Sequence, residues 1–300
     1  MRIGVRIGTA ILFGAAVFFG GLGTSGAQSK VSIESISFSA TTARDGGASV
    51  RGELRIPEGV SGRLPAVLVL HTAGGFHDDQ PIKNGPYVDR LNRAGIATLW
   101  IDMFPNRMSL PRTTREVMPQ TFGSLLHLAV HPRIDPNRIG VIGFSYGGVL
   151  ALIMTSQEVT QEYTGGKARF AAHLAFYPIC WIQQQILSGS NRVYGADTYA
   201  KLTGAPAHIL TGEKDDYDEP DTCPKFVASL PESERKQFGA TVYPGAYHCF
   251  DLPHKVPQFQ DRIAFLGRGG MVTNKFDAAI AEQSLAFAEQ FFSQHLATTK

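Results

Sequence analysis

The sequence predicts an α/β fold built on a mostly parallel sheet, and three observations lead to this prediction. Short, continuous apolar runs recur along the chain, helix-like segments separate them, and the first two β-like segments alternate between apolar and polar residues. Continuous apolar runs are typical of strands that are buried on both faces, as parallel strands are. Strands that alternate with helices indicate one sheet with helices packed on it.

The first 27 residues have the pattern of a secretory signal peptide. Arg2 and Arg6 give a positive start, residues 7–23 are apolar and uncharged, and residues 25–27 are the small Ser-Gly-Ala. An uncleaved membrane anchor is the alternative, although the run is rich in glycine and short for a spanning helix. We therefore expect a secreted or periplasmic protein without stable membrane association after cleavage, in which residues 28–300 form a single domain.

Composition restricts the partners. Of the 300 residues, 43% are hydrophobic and 18% are charged, which suits a large core and excludes a disordered chain. The signal segment holds two of the 28 basic residues and none of the 26 acidic residues, so the remainder is formally neutral. Nothing in this composition suggests a basic surface for nucleic acid, and the partner expected from the motifs below is a small-molecule substrate. The sequence does not indicate the oligomeric state.

The elements follow in chain order. The alternating segments 31–36 and 50–56 predict antiparallel strands at the start of the sheet. Continuous apolar runs then predict parallel strands at 66–70, 96–101, 139–142, 170–176 and 207–210. Helices are predicted at 87–94, 113–130, 147–154 and 277–295. Surface loops or small lids are predicted at 104–113, 157–167 and 252–274, which are polar or rich in glycine and proline.

The joint between the strand at 139–142 and the following helix carries a Gly-x-Ser-x-Gly motif at positions 143–147. A serine in a sharp strand-to-helix turn needs small neighbours, and its hydroxyl is then exposed at the carboxyl end of the sheet. The helix N-terminus favours negative charge at that point. No lysine follows the motif, and its glycines lack dinucleotide-loop spacing. Ser145 is the candidate nucleophile, and a turn that merely packs closely is the alternative.

A base and an orienting acid follow in the order that α/β hydrolases use. Asp215 and Asp216 lie in the turn that follows the strand at 207–210, and His248 follows a second strand and a Pro-Gly turn. The carboxyl ends of such strands are where α/β proteins bind ligands. Because the two aspartates are adjacent, they cannot both face His248. A calcium-binding reading of this acidic stretch is weakened because Pro220 interrupts it.

An oxyanion hole requires two backbone N–H groups. One is expected from Tyr146, directly after the candidate nucleophile, and the other from the glycine-rich stretch 71–75. We favour the Ala73 amide there, with Thr72 and Gly74 as alternatives, and expect His71 to hold the loop by hydrogen bonds.

The other reactive residues suggest weaker alternatives. His127 and His131 are four residues apart but lack the glutamate of a zinc-protease helix, so no metal site is expected. The three cysteines, Cys180, Cys223 and Cys249, allow one disulfide in an oxidising compartment, and the sequence alone does not fix the pair. Cys249 is a weak candidate nucleophile, because it follows the base and is not at a helix N-terminus.

Five aromatic residues are candidates for a pocket that suits apolar or aryl acyl groups. They are Phe104, Phe176, Tyr177, Trp181 and Phe250. Each of them could equally be a core residue.

Several motifs together resemble the dienelactone hydrolase family of the α/β-hydrolase superfamily. They lie at 70–75, 135–148, 176–178, 212–216 and 243–251, and the resemblance extends from about residue 50 to residue 296. It implies an α/β-hydrolase fold. It also implies that Ser145 is the nucleophile, His248 the base and Asp215, rather than Asp216, the acid.

The chain also departs from that family. Dienelactone hydrolases proper have cysteine at the position of Ser145, and the glutamate of their first oxyanion loop falls near Thr72. Their better-known members are cytoplasmic. The family comparison implies that Cys249, directly after the histidine, is the odd thiol. Cys180 and Cys223, which both follow strand ends on the active-site side, are then the candidate disulfide.

We therefore expect a serine hydrolase that cleaves carboxylic esters through an acyl-enzyme, without a metal ion or organic cofactor. Three alternatives use the same fold: an acyltransferase, a small peptidase, and a binding protein without catalytic activity.

Overall fold

A computed structural model of the chain describes residues 30–44, 46–78, 85–104, 113–253 and 255–298. The predicted signal peptide and most of the predicted loop at 104–113 lie outside these residues.

An eight-stranded sheet occupies the centre, in the order β1-β2-β4-β3-β5-β6-β7-β8, and a two-stranded hairpin, β9–β10, lies apart from it. The strands are β1 (Val31–Thr41), β2 (Gly46–Pro57), β3 (Leu64–Leu70), β4 (Ala97–Asp102), β5 (Ile134–Phe144), β6 (Ala172–Phe176), β7 (Ala207–Gly212), β8 (Phe238–Tyr243), β9 (Gln258–Asp261) and β10 (Gly270–Thr273).

Strand pairing confirms the predicted fold class. β2 pairs antiparallel with both β1 and β4, and all pairs from β4 through β3, β5, β6 and β7 to β8 are parallel. The carboxyl ends of the parallel strands therefore meet at one edge of the sheet, where β5, β7 and β8 deliver the motifs described above.

Helices cover both faces of the sheet. They are α1 (Gly75–Asp78), α2 (Pro86–Arg93), α3 (Met118–Val130), α4 (Tyr146–Ile153), α5 (Gln157–Thr164), α6 (Cys180–Leu187), α7 (Thr222–Ser229), α8 (Glu232–Arg235) and α9 (Ala278–His295). Short 3₁₀ helices lie at Thr114–Glu116 and Ala196–Tyr199, and a distorted helical turn lies at Ala264–Gly267. Among the helices of the described ranges, none has the length and apolar character needed to span a membrane.

Alternate residues of the parallel strands enter two separate cores. In β3, Leu68 and Leu70 pack with α3, α4 and α6 on one face, whereas Val67 and Val69 pack with α2 and α9 on the other. All four side chains are fully buried. This explains why the run at 66–70 is continuously apolar instead of alternating.

The loop prediction for 157–167 was wrong, because α5 occupies most of it. Ser156 caps the helix by accepting a hydrogen bond from the N–H of Val159, and Gly165 ends it in the left-handed conformation. Val159 and Tyr163, four residues apart, are buried against the core. The capping serine and this spacing outweigh the polar composition of the segment.

Two further predictions need correction. The segment predicted as loop at 252–274 contains the β9–β10 hairpin, whose strands are joined through Phe265 and Leu266 in the left-handed conformation. The helix predicted from residue 113 to 130 begins only at Met118, because the 3₁₀ helix at Thr114–Glu116 precedes it.

Candidate active site

Ser145 lies at the junction between β5 and α4 in a strained conformation. Its φ is 49° and its ψ is −108°, outside the regions that non-glycine residues ordinarily adopt. A Cβ atom on Gly143 would overlap the backbone of Gly147, and one on Gly147 would overlap the carbonyl oxygen of Leu70. Glycine is therefore required on both sides of the serine, as the motif predicted.

Ser145, His248 and Asp215 form one line of hydrogen bonds. His248 Nε2 lies 3.0 Å from Ser145 Oγ, and His248 Nδ1 lies 2.8 Å from Asp215 Oδ2. All three residues are buried. Because a carboxylate only accepts, Nδ1 carries the proton that is donated to Asp215, and Nε2 is free to accept the serine proton. The structure thus brings together the three residues that the sequence singled out.

The surroundings of His248 raise its pKa well above the ordinary value. Burial lowers the pKa, but the negative charge of Asp215, the neighbouring Cys249 and the hydrogen bond to Asp215 together outweigh burial. Asp215 is itself held by a second bond, since its Oδ1 accepts from the N–H of Tyr217 at 3.1 Å. The charged form of the histidine is thereby stabilised, which is what a base needs after it has taken a proton.

The other two carboxylates of this turn, those of Asp216 and Asp218, accept hydrogen bonds from backbone N–H groups. Asp216 Oδ2 accepts a hydrogen bond from the N–H of Thr273 in β10, at 2.8 Å. Asp218 accepts from the N–H groups of Cys180 and Trp181, at 2.7 and 2.9 Å, and so caps the start of α6. Burial, and then the charge of Asp215, raise the pKa of Asp218 to about 7, against the effect of these two bonds. We refer to residues 215–218 as the acid turn.

The glycine-rich loop after β3 is fixed so that one amide is left without an acceptor. Thr72 accepts from Gly74 N–H through Oγ1 and from Gly75 N–H through its carbonyl oxygen. Among the hydrogen bonds between described residues, the N–H groups of Ala73 and Tyr146 have no acceptor, and both residues line the cavity beside Ser145. These are the two amides that the sequence suggested for an oxyanion hole.

His71 has the structural role expected of it. It is fully buried, its Nε2 accepts from the N–H of Met103 at 3.0 Å, and its Nδ1 lies 2.7 Å from the carbonyl oxygen of Thr72. With Nε2 as the acceptor, Nδ1 is the donor to Thr72. The Gly147 N–H also donates to the carbonyl oxygen of His71, so the loop and the nucleophile turn are bound together.

The aromatic pocket prediction was wrong. A cavity of about 290 Å³ opens beside Ser145, and none of the five predicted aromatic residues lines it. Phe176, Tyr177 and Phe250 are fully buried in the core between the sheet, α2 and α9.

The remaining two aromatic residues support neighbouring groups. Phe104 packs edge-on against His71 and Tyr146, and the Trp181 ring lies close to where a Cβ atom on Gly267 would be, at 3.1 Å.

The cavity is lined mainly by aliphatic side chains that the sequence reasoning did not select. Val149 and Ile153 of α4 face Ile182 and Ile186 of α6 across it. The sequence does contain a signal for two of these residues. Val149 and Ile153 lie four and eight residues after Ser145, so helical spacing places them on the face of the helix that begins at the serine. Tyr217 was also missed; its ring packs 4.7 Å from that of His248 and its hydroxyl donates to Asp261.

Cys180 and Cys223 are joined in a disulfide, and Cys249 is buried and unpaired. The bond connects the first residue of α6 to α7. Within the described residues, the group of potential metal ligands that lie together is Cys180, Asp218 and Cys223. Since both sulfurs belong to the disulfide, this group cannot supply thiolate ligands.

Comparison with known proteins identifies the family of the chain. The sequence model of the dienelactone hydrolase family matches residues 50–296. A Bradyrhizobium protein assigned as a 2-oxo-3-(5-oxofuran-2-ylidene)propanoate lactonase is 25% identical over 204 residues, which are 64% of this chain and 75% of that protein.

Solved structures share the fold. A Klebsiella pneumoniae protein assigned as a dienelactone hydrolase superimposes with a TM-score of 0.60 at 19% identity, covering 88% of this chain and 99% of the other. Esterase 2 of Thermogutta terrifontis, solved after phosphorylation by paraoxon, superimposes with a TM-score of 0.60 at 13% identity, covering 89% and 96%.

Proposed function

The chain belongs to the dienelactone hydrolase family and is a carboxylic ester hydrolase, and from this premise we propose that it cleaves esters through an acyl-enzyme on Ser145. The line of hydrogen bonds from Ser145 through His248 to Asp215 carries the proposal. A serine hydroxyl is a weak nucleophile unless a base lies within hydrogen-bonding distance, and here the base is itself held by an acid.

The geometry supports the following sequence of steps. His248 Nε2 takes the proton of Ser145 as Oγ attacks the ester carbonyl, and Asp215 stabilises the charged imidazole. The N–H groups of Ala73 and Tyr146 bind the developing oxyanion. His248 then gives its proton to the departing alcohol. A water molecule, deprotonated by the same histidine, releases the acid and restores Ser145.

The experiment that tests this proposal is turnover of p-nitrophenyl acetate by the wild type and by Ser145→Ala. We expect the variant to lose several orders of magnitude in kcat, as removal of a nucleophile does. Ser229→Ala, which changes an exposed serine of α7, is the matched control and is expected to keep its activity. A loss of less than about tenfold in Ser145→Ala would contradict the proposal.

Labelling by a fluorophosphonate distinguishes a serine nucleophile from a hydrolase fold used only for binding. The wild type should carry one added phosphonyl group on Ser145, located by peptide mass spectrometry, and Ser145→Ala should carry none.

Because a lactone is a cyclic ester, and the Bradyrhizobium relative is assigned as a lactonase, the substrate panel should include a lactone.

We also propose that the protein is exported and loses residues 1–27. The pattern of those residues supports this, as does the Cys180–Cys223 disulfide, because disulfides form mainly in oxidising compartments. Intact mass of the protein from fractionated cells tests it. The expected species lacks the first 27 residues and lies outside the cytoplasm. A full-length cytoplasmic species would contradict export, and a full-length membrane species would identify an anchor.

A further inference from the structure

The position of the cavity beside Ser145 indicates which part of an ester it binds, the acyl group or the alcohol. Its volume is about 290 Å³, and its lining includes Ser145 and the two candidate oxyanion residues, Ala73 and Tyr146. His248 does not line it. The departing alcohol must receive its proton from His248 and therefore lies on the histidine side of Ser145. The acyl group, bonded to the same carbonyl carbon, then points away from the histidine and into the cavity.

The walls of this cavity are aliphatic and rigidly placed. Val149 and Ile153 come from one face of α4, and Ile182 and Ile186 come from one face of α6. Val149, Ile153 and Ile186 are at most 3% exposed. The disulfide and the two hydrogen bonds from the α6 N-terminus to Asp218 hold the second wall in place. Such walls favour methylene groups and offer no hydrogen bonds to polar ones.

Several polar side chains of the lining are engaged in hydrogen bonds, whereas the buried Tyr146 hydroxyl has no partner among the described residues. The hydroxyl of Thr114 donates to that of Tyr194, and the Asn191 side-chain oxygen accepts from the N–H groups of Val193 and Tyr194. Burial raises the pKa of Tyr194 to about 12, so this side chain stays uncharged.

Two charged residues, Asp261 and Arg262, are among the described lining residues of the cavity. Arg262 is exposed to solvent, and Asp261 accepts hydrogen bonds from the Tyr217 hydroxyl and the Ile263 N–H. Between α4 and α6, the described lining residues carry no charge that a polar acyl group could pair with.

We infer that the acyl part of the substrate is a short to medium aliphatic chain, bound between α4 and α6. This inference rests on the proposed function and specifies its substrate class. The volume accommodates up to roughly ten groups of the size of a water molecule or methylene, at about 30 Å³ each. That is small for a ligand pocket, and it excludes the long chains of lipid substrates.

A chain-length series of p-nitrophenyl esters from acetate to palmitate tests the inference. Each methylene buried contributes about 0.8 kcal/mol, so kcat/KM should rise roughly fourfold per methylene at most until the cavity is full. We expect the maximum between hexanoate and octanoate and a fall by dodecanoate. Turnover that depends on Ser145 but is greatest for acetate, or still rising at palmitate, would overturn the inference and leave the proposed function intact.

Variants of the α4 wall identify the cavity as the binding site. Ile153→Phe fills it and should lower the octanoate-to-acetate ratio of kcat/KM at least tenfold, and Val149→Ala enlarges it and should move the maximum to longer chains. Val227→Ala removes the same atoms from α7 outside the cavity and is the matched control. Thermal unfolding of each variant establishes that it is folded before the ratio is interpreted.

The alcohol half of the ester provides the complementary series. Acetates of alcohols from methanol to octanol should show little dependence on length, and Ile153→Phe should not alter it. A strong dependence on alcohol length that Ile153→Phe abolishes would place the alcohol in the cavity and overturn the assignment to the acyl group. If no ester in either series is cleaved in a manner that depends on Ser145, the proposed function itself fails.

Discussion

The two sides of Ser145 are built by different means. On one side, His248 and Asp215 are held at 3.0 and 2.8 Å by hydrogen bonds between particular atoms. On the other side, Val149, Ile153 and the isoleucines of α6 form a wall in which only volume and apolar character matter. Hydrogen bonds tolerate few substitutions, whereas an aliphatic wall tolerates many of similar volume. The histidine side should therefore control the rate, and the aliphatic side the choice of substrate.

A large loss of activity is expected from a change to the acid on the histidine side. Asp215→Asn should lower kcat roughly 10⁴-fold with p-nitrophenyl acetate, because the amide no longer fixes the histidine tautomer or its charge.

The raised pKa of His248 also predicts that wild-type activity is lost as pH falls through a value above the ordinary 6.5 or so. Without the Asp215 charge, this acid limb should move to lower pH.

Asp216→Asn is the matched control, since it removes the same charge one residue away without contacting His248. It should lose far less activity than Asp215→Asn. Equal losses in the two variants, or an acid limb that moves to higher pH in Asp215→Asn, would contradict the assignment of Asp215 as the acid.

A smaller effect is expected when the aliphatic side is loosened. Cys180→Ser with Cys223→Ser removes the bond between α6 and α7 and should lower the free energy of unfolding by about 2–4 kcal/mol. Octanoate turnover should fall more than acetate turnover, because α6 carries one wall of the cavity. Thermal unfolding and the two rates measure these effects.

Dithiothreitol provides the control for this experiment. It should lower the Tm of the wild type towards that of the double variant and leave the double variant unchanged. A wild-type Tm that does not respond to the reductant, under denaturing conditions that expose the bond, would mean that the disulfide contributes nothing to stability.

Local motifs explain why one side of the site could be predicted from sequence. Ser145, Asp215 and His248 each lie within five residues of the end of a strand. Because the strand ends of a parallel sheet meet at one edge, chain order and turn residues were sufficient. The cavity depends on how α4 and α6 approach each other, which no local pattern records. Choosing aromatic residues such as Phe176 by type failed because that side chain points to the opposite face of the sheet.

The same difference between local and non-local signals explains which elements of the fold could be predicted from the sequence. The buried strands were predicted within a few residues, as in the run at 207–210 and β7 at Ala207–Gly212, because burial on both faces leaves a continuous apolar signal. The helix α5 and the hairpin β9–β10 were missed, since the first is polar on its outer face and the second has short strands with mixed residues. Their stability comes from caps and from contacts with the acid turn.

The acid turn at 215–218 has a consequence for how this enzyme can diverge. Its three carboxylates hold the histidine, the β10 strand and the start of α6, each through its own bond. Each of these three positions thus has a separate role in the site, and selection should act strongly on the turn as a whole. The isoleucine side chains of α6 make no hydrogen bonds of this kind. New substrate ranges should therefore arise in descendants of this chain by drift and selection along α6, while the turn that anchors that helix is inherited unchanged.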